Sequence, residues 1–259
     1  MPGERIHMRT TRALGALVLA GALAAGGCDT DFLVPDLNNP GLEGLLDNPT
    51  PAALIDATQG LMIGARTGVT GQGGYVARAG ILGREVLVFD NSDPRYIDEL
   101  VAGDLNAGGF GGFGWAPRYA NLRNATIVLG ATDAVTMDDA DKEGIRGFTK
   151  TIMALDLYWV AQLRNEFGGV IEMPAFGEEL APFVPVEQVY QRAEDLLEEA
   201  VGHLAAAGGS FAFELSGGFD GFDTPATFSQ VASALDARIG VMQATLGGGI
   251  EAAEYKHVR

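Results

Sequence analysis

Residues 185–207, PVEQVYQRAEDLLEEAVGHLAAA, decide the fold. Val186, Val189, Tyr190, Ala193, Leu196, Leu197, Ala200, Val201 and Leu204 recur at intervals of three and four, and Glu194, Asp195, Glu198 and Glu199 fill the opposite side. Only a helix gathers side chains of that spacing into one apolar stripe, because its period of about 3.6 residues lies between those steps. Pro185 suits a first helical position, where its missing N–H costs nothing. The stretch is therefore an amphipathic helix with a face that it cannot bury alone.

The same pattern extends outward. Upstream, Phe148, Ile152, Leu155, Trp159 and Leu163 form a stripe in a helix expected over Asp139 to Phe167, and Tyr119, Leu122, Ala125, Thr126 and Leu129 form another from Trp115 to Ala134. Downstream, a helix starting after Thr224-Pro225 carries Phe228, Val231, Leu235, Ile239, Met242 and Leu246. Earlier in the chain, helices are expected from Ala52 to Ala65 and from Tyr75 to Phe89. Consecutive helices with one apolar face each imply antiparallel hairpins that stack. The expected class is all-α with few strands: an irregular tetratricopeptide-like helical hairpin array with long loops, since the strict repeat signature is absent. The glycine-rich segment Gly103 to Gly114 reads as a surface loop holding exposed or half-buried aromatics, with no Lys or Ser/Thr pair to make it a phosphate cradle.

Composition removes several function classes. Of the 259 residues, 17 are basic and 34 acidic, a formal net charge of −17, so phosphate backbones repel the chain and no nucleic-acid partner is expected. A single cysteine, Cys28, excludes a disulfide framework, and His7, His203 and His257 lie too far apart for a histidine metal motif. The cluster DNSD, Asp90 to Asp93, is a weak divalent-cation candidate, and no specific metal or cofactor is assigned.

At the N-terminus, Arg5, Arg9 and Arg12 precede the apolar run Ala13 to Ala25, which is too short to span a bilayer comfortably and reads as an export signal. The run ends in AGGC at Cys28, similar to the lipobox of bacterial lipoproteins, with Ala25 where Leu is commonest. The organisation expected is a lipoprotein signal over 1–27, lipid on Cys28, an extended Pro/Asn leader over 28–51 and a helical domain over 52–259. An ordinary secretory signal with Cys28 left as a free thiol is the other reading of the same residues.

These features together resemble the SusD/RagB family of outer-membrane nutrient-uptake lipoproteins. The leader CDTDFLVPDLNNP is similar to the segment that follows the family's cysteine. Trp115, Tyr119, Arg123, Asn124 and Ala125 resemble its tryptophan-started helix, with Arg123 and Asn124 adjacent here. Phe148 to Pro174, through Tyr158, Glu166, Phe167, Gly168 and Gly169, resembles its helix ending in a Tyr-Gly-x-x-Pro turn, with Phe167 in place of Tyr. Val189, Tyr190, Asp195, Leu196 and Ala200 match its next helix. Family members are usually much longer, so a fragment, a frame-shifted product or a reduced member is expected, with GGGIEAAEYKHVR unlike a family continuation.

The resemblance implies a non-enzymatic, lipid-anchored protein on the exterior of the outer membrane. It would bind an oligosaccharide or other oligomeric nutrient and pass it to a SusC-like TonB-dependent transporter. Aromatic side chains in or beside the long loops are the candidates for ligand contact: Trp115, Phe110, Phe113 and Tyr96. For Trp115 the competing reading is the first core residue of its helix, and Trp159, inside a continuous stripe, is structural. Two rivals stand beside this function. A helical-repeat scaffold for protein partners shares the fold, and a glycoside hydrolase would need paired carboxylates, for which Glu178-Glu179 and Asp138-Asp139 are merely adjacent acids.

Overall fold

The computed structural model describes residues 43–88, 93–112, 114–174 and 178–246. Cys28 and the rest of the leader before Glu43, Phe113, and Asp90 to Ser92 of the DNSD cluster lie outside the described residues. The helices are α1 (Glu43–Asp47), α2 (Pro51–Arg66), α3 (Tyr75–Leu82), α4 (Trp115–Ala134), α5 (Asp139–Arg164), α6 (Val186–Ala206) and α7 (Pro225–Leu246). Among the described residues there is no β-strand, only an isolated antiparallel bridge between Gly169 and Val184. The all-α class is as expected, and consecutive helices pack as hairpins, α4 on α5, α5 on α6 and α6 on α7.

Local chemistry sets the ends. The Thr50 hydroxyl accepts from the Ala53 N–H at 3.3 Å, with Pro51 beginning α2. At α7 the cap is reciprocal: the Thr227 N–H donates to the Thr224 hydroxyl at 3.2 Å, and the Thr224 N–H donates to the Thr227 hydroxyl at 3.1 Å.

Four boundaries differ from the sequence reading. Helix α3 stops at Leu82 instead of continuing to Phe89, because Gly83 and Arg84 turn the chain, Arg84 taking φ +62°, and the Glu85 and Val86 N–H groups fold back onto the Gly80 carbonyl. Helix α5 ends at Arg164 and gives way to a 3₁₀ turn over Asn165–Phe167. Pro185 is the cap of α6 and not its first residue, its ψ of 155° being extended. The leader expected to be extended up to residue 51 contains the short helix α1, whose Leu45 is buried in the core.

The core runs along α4, α5 and α6 and is closed at one end by aromatic rings. Phe148 is fully buried, with its centroid 4.9 Å from Phe213 and 5.3 Å from Phe228. Helices α5 and α6 approach closely where Gly147 faces Leu204: a Cβ at Gly147 would lie 2.6 Å from Leu204 Cγ and 3.1 Å from the Ala200 carbonyl oxygen. A smaller cluster of Ile81, Tyr96, Leu100 and Phe110 packs separately.

Candidate functional site

Helix α4 carries different chemistry on two sides. On its core side, Arg118 is 2% exposed and donates to Asp156 Oδ1 on α5 at 2.7 Å. The same guanidinium donates to the carbonyls of Ala65 at 2.8 Å and Gly64 at 3.0 Å, and to the Thr67 carbonyl, so it satisfies the open C-terminal end of α2. Asn121 Nδ2 donates to Asp156 Oδ2 at 2.6 Å and to the Leu61 carbonyl at 3.3 Å. Burial pushes the Asp156 carboxyl up to about 7, outweighing the pull of Arg118 and Asn121 in the other direction. This network joins three helices and has no opening to solvent at Asp156, which is 0% exposed. Its role is structural.

On the other side, Trp115, Tyr119 and Arg123 stand one turn apart at four-residue intervals, so they form one row on the helix surface. The half-buried Trp115 ring packs on Tyr119 at 4.5 Å and lies nearly parallel to Phe183, 5.7 Å between centroids with 4° between planes. The Arg164 guanidinium sits 4.9 Å from the Trp115 centroid and 5.5 Å from that of Phe167.

The row also holds the chain that follows α5. The Val170 N–H donates to the Tyr119 hydroxyl oxygen at 2.7 Å, and that hydroxyl donates back to the Val170 carbonyl at 3.1 Å. Burial raises the Tyr119 hydroxyl pKa above the ordinary tyrosine value, so it stays a neutral donor. Arg123 Nη1 donates to the Pro174 carbonyl. Gly168, at φ +61°, makes the turn into this segment; a side chain there would be strained and would run into the Val184 carbonyl. The Gly169–Val184 bridge then closes the loop with hydrogen bonds of 3.1 and 2.8 Å.

Between the row and the loop lies a cavity of about 500 Å³, lined by Trp115, Tyr119, Arg123, Val170, Met173, Pro174, Leu180 and Phe183, with Glu172 and Glu178 also on its wall. Leu180 is 87% exposed and Phe183 59% exposed, large apolar groups left facing water. The volume falls in the range of small-ligand pockets, about 300–1,000 Å³, and the lining is mostly apolar with a few polar groups, as such pockets are. The arrangement can hold a flat or apolar ligand face against Phe183 and Leu180 and offer it Arg123 and a carboxylate.

Of the aromatic candidates from sequence, the structure places Trp115 here. It corrects the expectation that the glycine-rich loop displays Phe110: Phe110 and Tyr96 are each 6% exposed and pack on each other at 4.8 Å, with the Arg95 guanidinium 5.3 Å from the Phe110 centroid. Glu99, also buried, fixes that loop by accepting from the Phe110 N–H at 2.6 Å and from Asn106 Nδ2 at 2.9 Å. Trp159 packs edge-on against Tyr75 at 4.5 Å. Asp138 and Asp139 sit at the start of α5, where acids favour the helix dipole. Asp93, at the end of the DNSD cluster, pairs with Arg95 at 2.6 Å. Among the described residues no three His, Cys, Asp or Glu side chains gather to hold a metal ion.

Sequence reasoning missed Phe183, Leu180 and the pairing of Tyr119 with Val170. Compared with family models, curated proteins and solved structures, the chain gives no match.

Proposed function

We propose that the chain is a surface lipoprotein of the SusD/RagB kind, anchored by lipid on Cys28, that captures an oligosaccharide or other oligomeric nutrient for a SusC-like TonB-dependent transporter. It does so without catalysis. Its helix hairpins form an irregular tetratricopeptide-like array, a rigid body suited to holding a ligand beside a transporter. The observation that carries the reading is the aromatic cavity on α4: Phe183 stacked on Trp115, more than half exposed, on a loop whose ends are fastened to each other and to Tyr119. A ring held from behind by another ring presents its outer face at little entropic cost, the property a stacking site requires. Trp115 acts as the platform and Phe183 as the contact. The sequence features at the N-terminus supply the tether.

The test uses the mature chain with Phe183→Ala and, separately, Trp115→Ala, in affinity electrophoresis through gels containing a panel of polysaccharides. Retention by at least one glycan, reduced tenfold or more by either substitution, is the expected result. Retention that both variants keep in full would remove the cavity from the binding site, and no retention by any glycan or oligopeptide would favour a scaffold for protein partners. Labelling of the full-length precursor with radioactive palmitate, lost in Cys28→Ala, checks the anchor.

A further inference from the structure

Helices α3, α5, α6 and α7 bring together a second set of aromatic groups, none of which lines the cavity on α4. The Tyr158 and Trp159 rings of α5 have centroids 5.5 Å apart, and Tyr75, at the start of α3, packs on Trp159 at 4.5 Å. Arg238 of α7 donates through Nε to the Tyr158 hydroxyl at 2.7 Å, with its guanidinium carbon 5.5 Å from the centroid of that ring. Gln162 Nε2 donates to the Tyr190 hydroxyl of α6, also at 2.7 Å. Burial and the neighbouring Tyr158 raise the Tyr75 hydroxyl pKa against the pull of Arg238 and Arg78, and burial likewise raises that of Tyr190. Both therefore stay neutral hydroxyls able to donate.

The cluster holds hydrogen-bonding capacity that the protein does not use. The half-buried Tyr75 hydroxyl and Trp159 indole N–H have no partner among the described residues, and neither atom is sealed from solvent. Such groups ordinarily find an acceptor. Arg238 is exposed, and with its Nε fixed on Tyr158 its two Nη groups have no acceptor among the described residues. In a chain with twice as many acids as bases, no Asp or Glu contributes to the electrostatics of Tyr75 or Tyr190.

We infer that this cluster binds a small carboxylate ligand with a flat or apolar face. The Arg238 fork receives the carboxylate as a bidentate pair, a geometry that guanidinium fits and ammonium does not. The Trp159 N–H and the Tyr75 hydroxyl donate to further oxygens of the ligand, and their rings cover its apolar face. Tyr158 is a positioning residue, holding Arg238 by Nε and leaving both Nη groups for the ligand. An acidic sugar and a peptide C-terminus both offer this chemistry.

The chain has two tryptophans, so Trp115→Phe leaves Trp159 as the sole indole reporter and reads this cluster apart from the nutrient cavity. In that background, fluorescence of the full-length chain in mild detergent at neutral pH is titrated with trigalacturonate and with acetyl-Gly-Phe. Each is compared with its neutral counterpart, the methyl ester or the C-terminal amide. At least one carboxylate should give a saturable change, with its neutral counterpart binding tenfold or more weakly, and the arm that saturates identifies sugar or peptide as the source. Arg238→Gln should lose tenfold or more, whereas Arg66→Gln, at an exposed arginine of α2, should bind within twofold. Circular dichroism establishes that both variants are folded, and the neutral counterparts decide the matter on the unsubstituted site if Arg238→Gln is not. No saturable change with either carboxylate, equal binding of the ester or amide, or equal affinities in folded Arg238→Gln and Arg66→Gln would each overturn the proposal.

Discussion

Replacing Asp156 by alanine strips the buried network of its only carboxylate. Arg118 keeps its carbonyl acceptors at Gly64, Ala65 and Thr67 but loses the counter-charge at 2.7 Å, and Asn121 Nδ2 keeps only the 3.3 Å contact to Leu61. Removing one partner of a buried pair costs about 3–5 kcal/mol, because the other charge stays behind without compensation. The double variant Arg118→Met/Asp156→Leu separates two contributions. An isolated buried pair exchanged for apolar groups is often neutral, but Arg118 also ends helix α2, so three carbonyls lose a donor at about 1 kcal/mol each. The double variant should therefore remain about 3 kcal/mol below the parent. Urea unfolding at pH 8, where Asp156 is ionised, measures both, with unchanged m-values as the check that the unfolded state is the same.

Acidity supplies a second reading of the same site. Asp156 has a folded pKa near 7, against about 3.9 in an unfolded chain, so the folded state holds the proton more tightly between those values. Its contribution is greatest below about pH 4 and declines as pH rises through 7. The stability gap between the parent and Asp156→Ala should accordingly widen as pH falls from 8 to 5. A single variant within 1 kcal/mol of the parent at pH 8, a double variant equal to the parent, or a gap that narrows on acidification would refute the reasoning.

Further expectations concern packing and the cavity. Gly147→Ala should lower stability by about 1–2 kcal/mol in thermal unfolding, because the clash with Leu204 and the Ala200 carbonyl outweighs a helix-propensity gain of at most about 1 kcal/mol. Phe148→Ala, emptying a site ringed by Phe211, Phe213 and Phe228, should cost about 3–5 kcal/mol by the same measurement. Tyr119→Phe removes both Val170 hydrogen bonds while keeping the ring against Trp115, so hydrogen exchange should speed up at the Val170 amide with a global loss of only about 1 kcal/mol. Glu199→Gln, at the exposed pairs with Lys150 and Arg192, should change stability by less than about 1 kcal/mol.

What the sequence made legible was periodicity. Trp115–Ala134 and the face of Val186–Ala206 follow directly from apolar residues at three- and four-residue steps. Charged groups inside those stripes escaped notice: Asp156 interrupts the apolar side of α5 between Ile152 and Trp159, and Arg118 and Asn121 share a face with Leu122 and Ala125, a signal of buried pairing that spacing alone contains. The cavity was only half readable. Trp115 announces itself as a helix start, but Phe183 is an isolated ring between prolines 182 and 185, and nothing periodic marks which way such a residue turns. Phe110 misled for the converse reason. Glycines around an aromatic suggest exposure, whereas the Glu99 carboxylate, eleven residues earlier in the chain, draws the Phe110 backbone inward.

The bridge between Gly169 and Val184 closes the intervening chain into an insert whose first part is tied to α4 through Val170 and Pro174 and packed on the core through Ile171 and Met173. Its two ends meet across paired hydrogen bonds, so the part between Pro174 and Val184 can lengthen at an entropic cost that grows only slowly with added residues. Under the nutrient-capture function proposed above, selectivity would be rewritten largely by exchanging this insert, as one changes the bit of a tool and leaves the handle in place.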